Sequence, residues 1–324
     1  MNAYLIGTDE AGYGPNLGPL VISATLWELP EGVSGDELPR LLQSVVAPAV
    51  ERPANGRPPR LAIADSKRLY KSRGSLRHIE RGVLAALGLL GNRPSTWREL
   101  WAALVADAPT CHAGIPWYAQ FDVPLPQAAD RAELDALLPW LNRGMATAGV
   151  RLLAVRSRAL FPRQFNDGLD QHGNKSSLLS YHTLQLAAEL TEQVDAGPIT
   201  IVCDKHGGRN RYAELLKQHF PESLIEIHGE SRELSLYRCG PAERRLEFRF
   251  QCQAEAWLPV ALASMVSKYL RESAMQALNT WWSARVPGLR PTAGYPVDAR
   301  RFQADIATQQ RELEIAENML WRRL

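Results

Sequence analysis

The first eighteen residues constrain the fold most strongly. Residues 3–7 are apolar and run into Asp9 and Glu10, a turn rich in glycine and proline follows, and residues 20–27 are apolar again. This order predicts a strand, a turn and a second strand, with the two acids at the end of the first strand. Because adjacent like charges repel each other, one carboxylate is pushed toward protonation unless a cation neutralises the pair.

Two interpretations of this acidic pair remain open on the stretch itself. A divalent cation such as Mg²⁺ prefers carboxylate oxygens together with water and phosphate oxygens, which predicts a metal site beside a nucleic-acid strand. The glycines after the pair would let the backbone approach such a strand closely. The alternative is an acidic turn punctuated by glycine and proline.

The rest of the chain alternates between strand-like and helix-like segments, which indicates an α/β layered domain. The predicted strands cover residues 150–156, 199–203, 224–227, 233–238 and 245–251, and Asp204 directly follows the second of these. The predicted helices cover residues 34–50, 71–90, 176–194, 212–220 and 258–282. Residues 51–60 predict a loop, and residues 95–139 predict a short helix followed by an irregular loop.

Composition bounds the function classes. A chain of 324 residues with 45% hydrophobic residues fits one large domain with insertions. The net charge of +2 neither supports nor excludes a nucleic-acid substrate. None of the four cysteines forms a Cys-x-x-Cys pair, and we see no signal peptide and no apolar run of membrane-span length, so we expect a cytoplasmic protein without a membrane partner. No P-loop or Gly-x-Ser-x-Gly motif supports an NTPase or a serine hydrolase.

Five segments resemble, in order, the motifs of the ribonuclease HII family, the type 2 ribonucleases H. They are residues 7–24 (GTDEAGYGPNLGPLVISA), residues 64–69 (ADSKRL), Asp204 at a strand end, residues 263–272 (ASMVSKYLRE) and residues 293–296 (AGYP). The resemblance implies an α/β ribonuclease H-like mixed sheet flanked by helices. It also implies a single catalytic domain over residues 1–324, with insertions at about 95–139 and 205–250.

The resemblance assigns the catalytic, metal-binding acids to Asp9, Glu10, Asp204 and Glu255. Glu255 matches the family's fourth acid because Pro259 follows it by four residues and Ala263-Ser264 comes next, although aspartate is usual there. Glu230 is a reserve candidate for the fourth position, and its simpler interpretation is a solvated charge at a strand turn.

The activity implied is that of a divalent-metal-dependent endonuclease using two Mg²⁺ or Mn²⁺ ions, one for the attacking water and one for the leaving 3′-oxygen. The substrate would be RNA in an RNA–DNA hybrid, or a ribonucleotide in duplex DNA. Two alternatives are a nuclease of the same fold with another nucleic-acid preference and a catalytically silent nucleic-acid-binding protein. No protein partner can be predicted.

The substrate-binding residues expected from the resemblance are Gly12, Tyr13, Gly14, Ser66, Lys67, Arg209 and Lys268. The family usually has Arg or Lys where this chain has Tyr13, in a turn that resembles a ruler for the ribose 2′-hydroxyl. Three simpler interpretations stand beside these roles: Ser66 caps a helix, the basic residues 205–211 form a solvated loop, and the tryptophans of residues 95–139 form a small core.

Overall fold

The computed structural model describes residues 2–52, 59–70, 75–108, 112 and 114–323. The strands are β1 (Ala3–Ala11), β2 (Leu20–Leu29), β3 (Val46–Ala47), β4 (Leu61–Ala62), β5 (Arg151–Leu160), β6 (Ile199–Asp204), β7 (Glu226–Glu230), β8 (Leu234–Cys239) and β9 (Leu246–Gln251). The shorter helices are α1 (Leu38–Leu41), α2 (Ser66–Leu69), α4 (Trp97–Leu104), α5 (Pro116–Ala119), α9 (Ala213–His219) and α12 (Glu317–Leu320). The longer helices are α3 (Arg77–Leu89), α6 (Arg131–Ala148), α7 (Pro162–His172), α8 (Lys175–Thr191), α10 (Leu258–Ser283) and α11 (Pro296–Glu312).

Seven strands form one mixed sheet in the order β5-β2-β1-β6-β9-β8-β7. Strand β1 is central: it pairs antiparallel with β2 and parallel with β6, and β6 in turn pairs parallel with β9. The expected α/β mixed sheet flanked by helices is therefore confirmed. Because β1 and β6 run in parallel with Thr8 opposite Cys203, the acids that follow both residues lie at the same edge of the sheet.

Both faces of the sheet are covered by apolar side chains. Successive residues of a strand point to opposite faces, and Leu5 and Ile6 accordingly belong to two separate apolar clusters, both almost without solvent exposure. Helix α10 covers the Leu5 face and helix α8 covers the Ile6 face. The sheet is therefore the middle layer of three, and strands buried on both sides read as nearly continuous apolar runs.

Helix α10 lies directly against β1 because Gly7 has no side chain. A Cβ atom on Gly7 would come within 2.3 Å of the Val260 backbone nitrogen and 2.6 Å of the Pro259 Cβ. Only glycine lets the start of this helix come so close to the strand. This contact fixes the short turn before α10, which carries Glu255, next to the acidic end of β1.

Two secondary-structure predictions were wrong. Residues 34–50 form only a 3₁₀ turn (Gly35–Glu37) and the single helical turn α1 before strand β3. Residues 131–139, for which we predicted an irregular loop, form the first half of helix α6. Asp130 starts α6 because its carboxylate accepts hydrogen bonds from the amides of Ala132 and Glu133. The predictions for residues 53–58 and 71–74 lie outside the described residues.

Residues 205–250, which we predicted to be an insertion, do not form a separate unit, since β7, β8 and β9 extend the central sheet. Whether it and residues 95–139 are insertions relative to the family remains a prediction. In the described part of the chain, no helix has both the length and the apolar character needed to cross a membrane. Cys203, Cys239 and Cys252 are free thiols, and Cys111 lies outside the described residues.

Candidate metal centre and substrate groove

The structure brings together the four acids expected from the sequence. Asp9 and Glu10 lie at the end of β1, Asp204 ends β6, and Glu255 lies on the 3₁₀ turn Ala254–Ala256 that precedes α10. The Asp9 carboxylate accepts a hydrogen bond from Ser264 of α10, and the Asp204 carboxylate accepts one from the Ala254 backbone. Asp9 on β1 is therefore held by helix α10, and Asp204 on β6 is held by the turn that precedes α10.

Mutual repulsion among these acids is visible in their protonation. Burial, followed by the charge of Glu10, raises the pKa of Asp9 well above its usual value. Burial, followed by the charge of Asp204, raises the pKa of Glu10 to about 7. Burial and the charge of Glu255 also raise the pKa of Asp204. All four residues nevertheless keep some accessible surface, and Glu10 lines the adjacent groove.

Lys67 is the cation nearest to these acids. Its Nζ lies 3.8 Å from Glu255 Oε1, and its side chain is otherwise 83% exposed. Burial alone would lower the pKa of Lys67, but the charges of Asp65, Glu255 and the other acids raise it. A mobile, solvated ammonium of this kind neutralises only part of the negative charge of four carboxylates.

The chemistry of this donor set fits divalent ions. Carboxylate oxygens are the ligands that Mg²⁺ and Mn²⁺ prefer, and a cation bound here would relieve the repulsion that raises the pKa values of Asp9 and Glu10. Among the described residues, no three His, Cys, Asp or Glu side chains already converge closely enough to contact one ion. The four acids thus surround a common space, but in the described part of the chain three carboxylates do not yet meet at one ion position.

A groove of about 1210 Å³ begins at this acidic site. Glu10, Lys67 and Lys268 line it. Its lining also includes Gln127 and Ala128, together with residues that follow α10: Thr292, Ala293, Tyr295 and Asp298. The segment 95–139 therefore contributes directly to the groove.

The turn after β1 lines the groove with Gly12, Tyr13 and Gly14. Gly12 has a φ of +94°, and a Cβ there would lie 2.5 Å from the Pro19 carbonyl oxygen and 2.7 Å from Arg271 Nε, so only glycine fits. By contrast, a Cβ on Gly14 would meet nothing within 4 Å, which leaves the backbone on that side open to a ligand.

Two cations lie near Tyr13, which itself stands where the family motif usually has a cation. Lys175 Nζ lies 4.8 Å from the centre of the Tyr13 ring, and the charge of Arg209 lowers the Tyr13 pKa, although burial and Glu10 raise it overall. Arg209 itself donates to Ser177 Oγ at 2.8 Å and does not line the groove. Arg209 was expected to bind the substrate, whereas no role was predicted for Lys175.

Ser66 and Lys268 both line the groove, and each already has a partner. Ser66 is 6% exposed and its Oγ is hydrogen-bonded to Ser264 Oγ at 3.0 Å, while the helix cap is Asp65, so the interpretation of Ser66 as the cap was wrong. Lys268 Nζ lies 2.7 Å from Glu272 Oε1 and 4.9 Å from the Tyr70 ring centre. A phosphate would have to compete with Glu272 for the Lys268 ammonium.

Several other expectations are corrected by burial. His206 is 2% exposed and bonds to Ser180, so it cannot hold a phosphate. Trp97, Trp101 and Trp117 are 0–2% exposed and pack in the core, so they cannot stack on bases. Their core role is the simpler interpretation stated above.

Glu230, the reserve candidate, lies on the outermost strand β7. Its carboxylate accepts a hydrogen bond from the Tyr237 hydroxyl at 2.5 Å and lies 3.7 Å from Arg211 Nε. The strands β8 and β9 separate it from β6, which carries Asp204. The structure thus groups Glu255, and not Glu230, with the other three acids.

Similar proteins were found by structure alone. No protein-family model and no curated protein matches the chain.

The chain is similar in fold to solved ribonucleases H.

Ribonuclease H2 from Pyrococcus horikoshii OT3 is 14% identical, with a TM-score of 0.47, 98% of this chain and 92% of that chain being covered. Ribonuclease HII from Archaeoglobus fulgidus, in its complex with PCNA, is 11% identical with a TM-score of 0.42, at 98% and 92% coverage. Ribonuclease H3 from Aquifex aeolicus is 14% identical with a TM-score of 0.40, at 98% and 71% coverage. Since these three ribonucleases H are so distant, any function must be argued from the site itself.

Proposed function

We propose that this protein is a divalent-metal-dependent endonuclease that hydrolyses the RNA strand of RNA–DNA hybrids, or the phosphodiester bond at a ribonucleotide in duplex DNA. The observation that carries the proposal is the meeting of Asp9, Glu10, Asp204 and Glu255 beside a groove that Glu10 lines. The resemblance of five sequence segments to ribonuclease HII motifs supports it independently.

The four acids would hold two Mg²⁺ or Mn²⁺ ions, which when bound supply an activated nucleophile and neutralise charge on the scissile phosphate and the leaving oxygen. The chain's own residues do the positioning. Ser264 fixes the orientation of the Asp9 carboxylate, and the Ala254 amide fixes that of Asp204. Positioning and charge neutralisation are sufficient for this reaction, which needs no covalent intermediate with the protein.

The substrate would lie along the groove with its backbone against the turn at Gly12 to Gly14. Lys67 and Lys268 line the same groove, and both could meet an anionic backbone there. Lys67 is largely exposed and free to turn from Glu255 to a phosphate. Lys268 would release Glu272 and contact a phosphate only when substrate is bound.

The decisive experiment compares three labelled duplexes: a continuous RNA–DNA hybrid, DNA with one embedded ribonucleotide, and plain DNA. Each is incubated with the protein and Mg²⁺ or Mn²⁺. We expect cleavage of the first two, with 5′-phosphate and 3′-hydroxyl ends, and none of the third. Tight binding without cleavage in either metal would instead favour a silent binding protein, and cleavage of plain DNA would favour another nuclease.

The environment of Tyr13 favours one variation of this function. The cation usual at this position in the family motif is absent, and Lys175 stands behind the ring instead. The backbone at Gly12 and Gly14 remains able to meet a 2′-hydroxyl. We therefore expect an enzyme that cuts continuous hybrids well and discriminates a single embedded ribonucleotide less sharply.

A further inference from the structure

Residues 320–323 pack against the turn that we assign to substrate binding. The Arg322 amide donates to the Asn16 carbonyl at 2.8 Å, the Asn16 side-chain amide donates to the Arg322 carbonyl at 3.0 Å, and Leu17 forms a bridge with Trp321. This segment therefore adds a short strand-like pairing to the loop that follows Tyr13.

The Arg322 side chain passes beneath the same turn. Its guanidinium donates to the Gly12 carbonyl at 2.5 Å and, through Nε, to the Pro15 carbonyl at 3.0 Å. Both carbonyls are thereby turned inward. Between them lie Tyr13 and Gly14, which line the groove.

Arg322 is a buried cation with no acid beside it. It has no solvent exposure, its guanidinium lies 4.5 Å from the Phe165 ring centre, and within the described residues it makes no ion pair. Burial, followed by the charge of Arg271, lowers its pKa to about 9, so it stays charged at neutral pH.

Arg271 approaches the turn from the other side and is also almost fully buried. It donates to the carbonyls of Leu17 and Ala293, and its nearest acid is Glu272, 3.5 Å from Nη1. Two buried guanidinium groups thus flank Gly12 with a single carboxylate to offset them. A buried, weakly compensated charge is costly, so an anion bound near the turn would stabilise both guanidinium groups.

We propose that Arg322 is a positioning residue for substrate recognition: it holds the turn at Gly12 to Gly14 with its amides outward and, with Arg271, supplies from below the positive charge that Tyr13 does not carry. The inference rests on the proposed function, since the anion that completes the site is the phosphate backbone of the bound duplex. The guanidinium does not touch that backbone and acts through the turn.

The test uses Arg322→Gln, which removes the charge, and Arg322→Lys, which keeps it. Arg323→Gln is the matched control because Arg323 is the exposed neighbour that pairs with Asp170, and it causes the same change in net charge. For each protein we would measure hybrid binding without metal at several salt concentrations, and kcat and KM with Mg²⁺.

We expect Arg322→Gln to raise KM about tenfold, to leave kcat within about twofold, and to flatten the salt dependence of binding by less than one unit of slope, because its charge acts on the substrate without touching a phosphate. Arg322→Lys should keep the wild-type slope and raise KM less. Arg323→Gln should match the wild type in both. Equal slopes for all four proteins, with Arg322→Gln altering stability alone, would overturn the proposal.

A readout on the unmutated protein covers the case in which neither Arg322 variant folds. With ¹⁵N-labelled arginine, the Nε resonance of Arg322 should shift when a hybrid duplex is added without metal, while that of Arg323 should not. An unmoved Arg322 resonance on a bound duplex overturns the proposal while leaving the nuclease function standing. A wild-type protein that neither binds nor cuts any duplex contradicts the proposed function itself.

Discussion

The Lys175 ammonium lies 4.8 Å from the centre of the Tyr13 ring, on the turn that lines the groove. A cation held over an aromatic face is attracted by the ring's quadrupole, and this interaction is worth about 0.5–1 kcal/mol at an exposed site. The chain thus keeps positive charge near the turn while placing an uncharged ring at the turn itself.

Tyr13→Arg should steepen the salt dependence of hybrid binding by roughly one unit of slope or less, because it adds one phosphate contact. It should also sharpen cutting at a single embedded ribonucleotide. The measurement is the ratio of cleavage rates on a one-ribonucleotide duplex and a continuous hybrid, for both proteins. An unchanged ratio and slope would leave the turn as scaffold alone. Tyr13→Phe, which keeps the ring under Lys175, is the control.

Asp9→Asn should abolish cleavage while leaving the fold intact. The substitution removes one charge from a repelling pair, so the metal-free protein should unfold at the same free energy or gain about 1 kcal/mol or less. Urea unfolding and single-turnover cleavage test both parts. A variant that cuts at the wild-type rate would remove Asp9 from the mechanism.

Glu255→Gln and Glu230→Gln should differ sharply under limiting Mg²⁺. Glu255 shares a space with Asp204 and Lys67, so losing its charge should weaken metal affinity by about tenfold or more. Glu230 bonds to Tyr237 on an outer strand, and its variant should retain activity. Calorimetric metal titration of both proteins gives the answer, and the reverse ranking would show that the fourth acid is misassigned.

The contribution of Glu10 to the stability of the metal-free protein should fall as the pH rises from about 4.5 to about 7. Its pKa is raised to about 7 in the folded protein, so the folded state holds a proton that the unfolded state releases near pH 4.5. The loss is at most about 3 kcal/mol. His206 acts oppositely, since burial lowers its pKa to about 3. The measurable quantity is therefore the pH dependence of the difference between wild type and Glu10→Gln, which a pH-independent difference would contradict.

Glu80→Gln should loosen the wall of the groove. The Glu80 carboxylate is 1% exposed and accepts hydrogen bonds from the Tyr269 hydroxyl and from three successive amides. Those amides belong to Gln127, Ala128 and Ala129. Leaving some of them unsatisfied should cost about 2–4 kcal/mol of stability. Glu133→Gln, at an exposed ion pair with Arg77, is the control. An unaltered KM at a temperature where Glu80→Gln is folded would mean that this wall does not meet the substrate.

The parts predicted correctly from sequence share a local signal. Strands β1 and β6 are short apolar runs that stop at acids, and α10 is a long apolar segment that begins at Leu258, so pattern alone was sufficient for them. Helix α6 was missed because Pro139 lies inside it and was taken as a helix breaker. Its buried residues do recur at helical spacing: Leu134, Leu137, Leu138, Leu141 and Met145.

Long-range contacts explain what the sequence could not provide at the site. Glu255 was found from its spacing to Pro259, but Lys175 and Arg322 carry no motif and reach the turn only through tertiary packing. The burial of Trp97 and Trp101 likewise depends on the helices around them. The role of a side chain whose partners are distant in sequence can be assigned only from the three-dimensional structure.

The pairing of Asn16 with Arg322 joins residues 306 positions apart, and it has a consequence for the order of synthesis. At about 5–20 residues per second, the ribosome needs roughly 15–60 s to make that intervening stretch of 306 residues. During this time the nascent chain carries Asp9 and Glu10 but lacks first Asp204, then Glu255 and finally Arg322. The proposed nuclease site is therefore incomplete on the growing chain until the segment that carries Arg322 has been made and has docked against the turn after Tyr13.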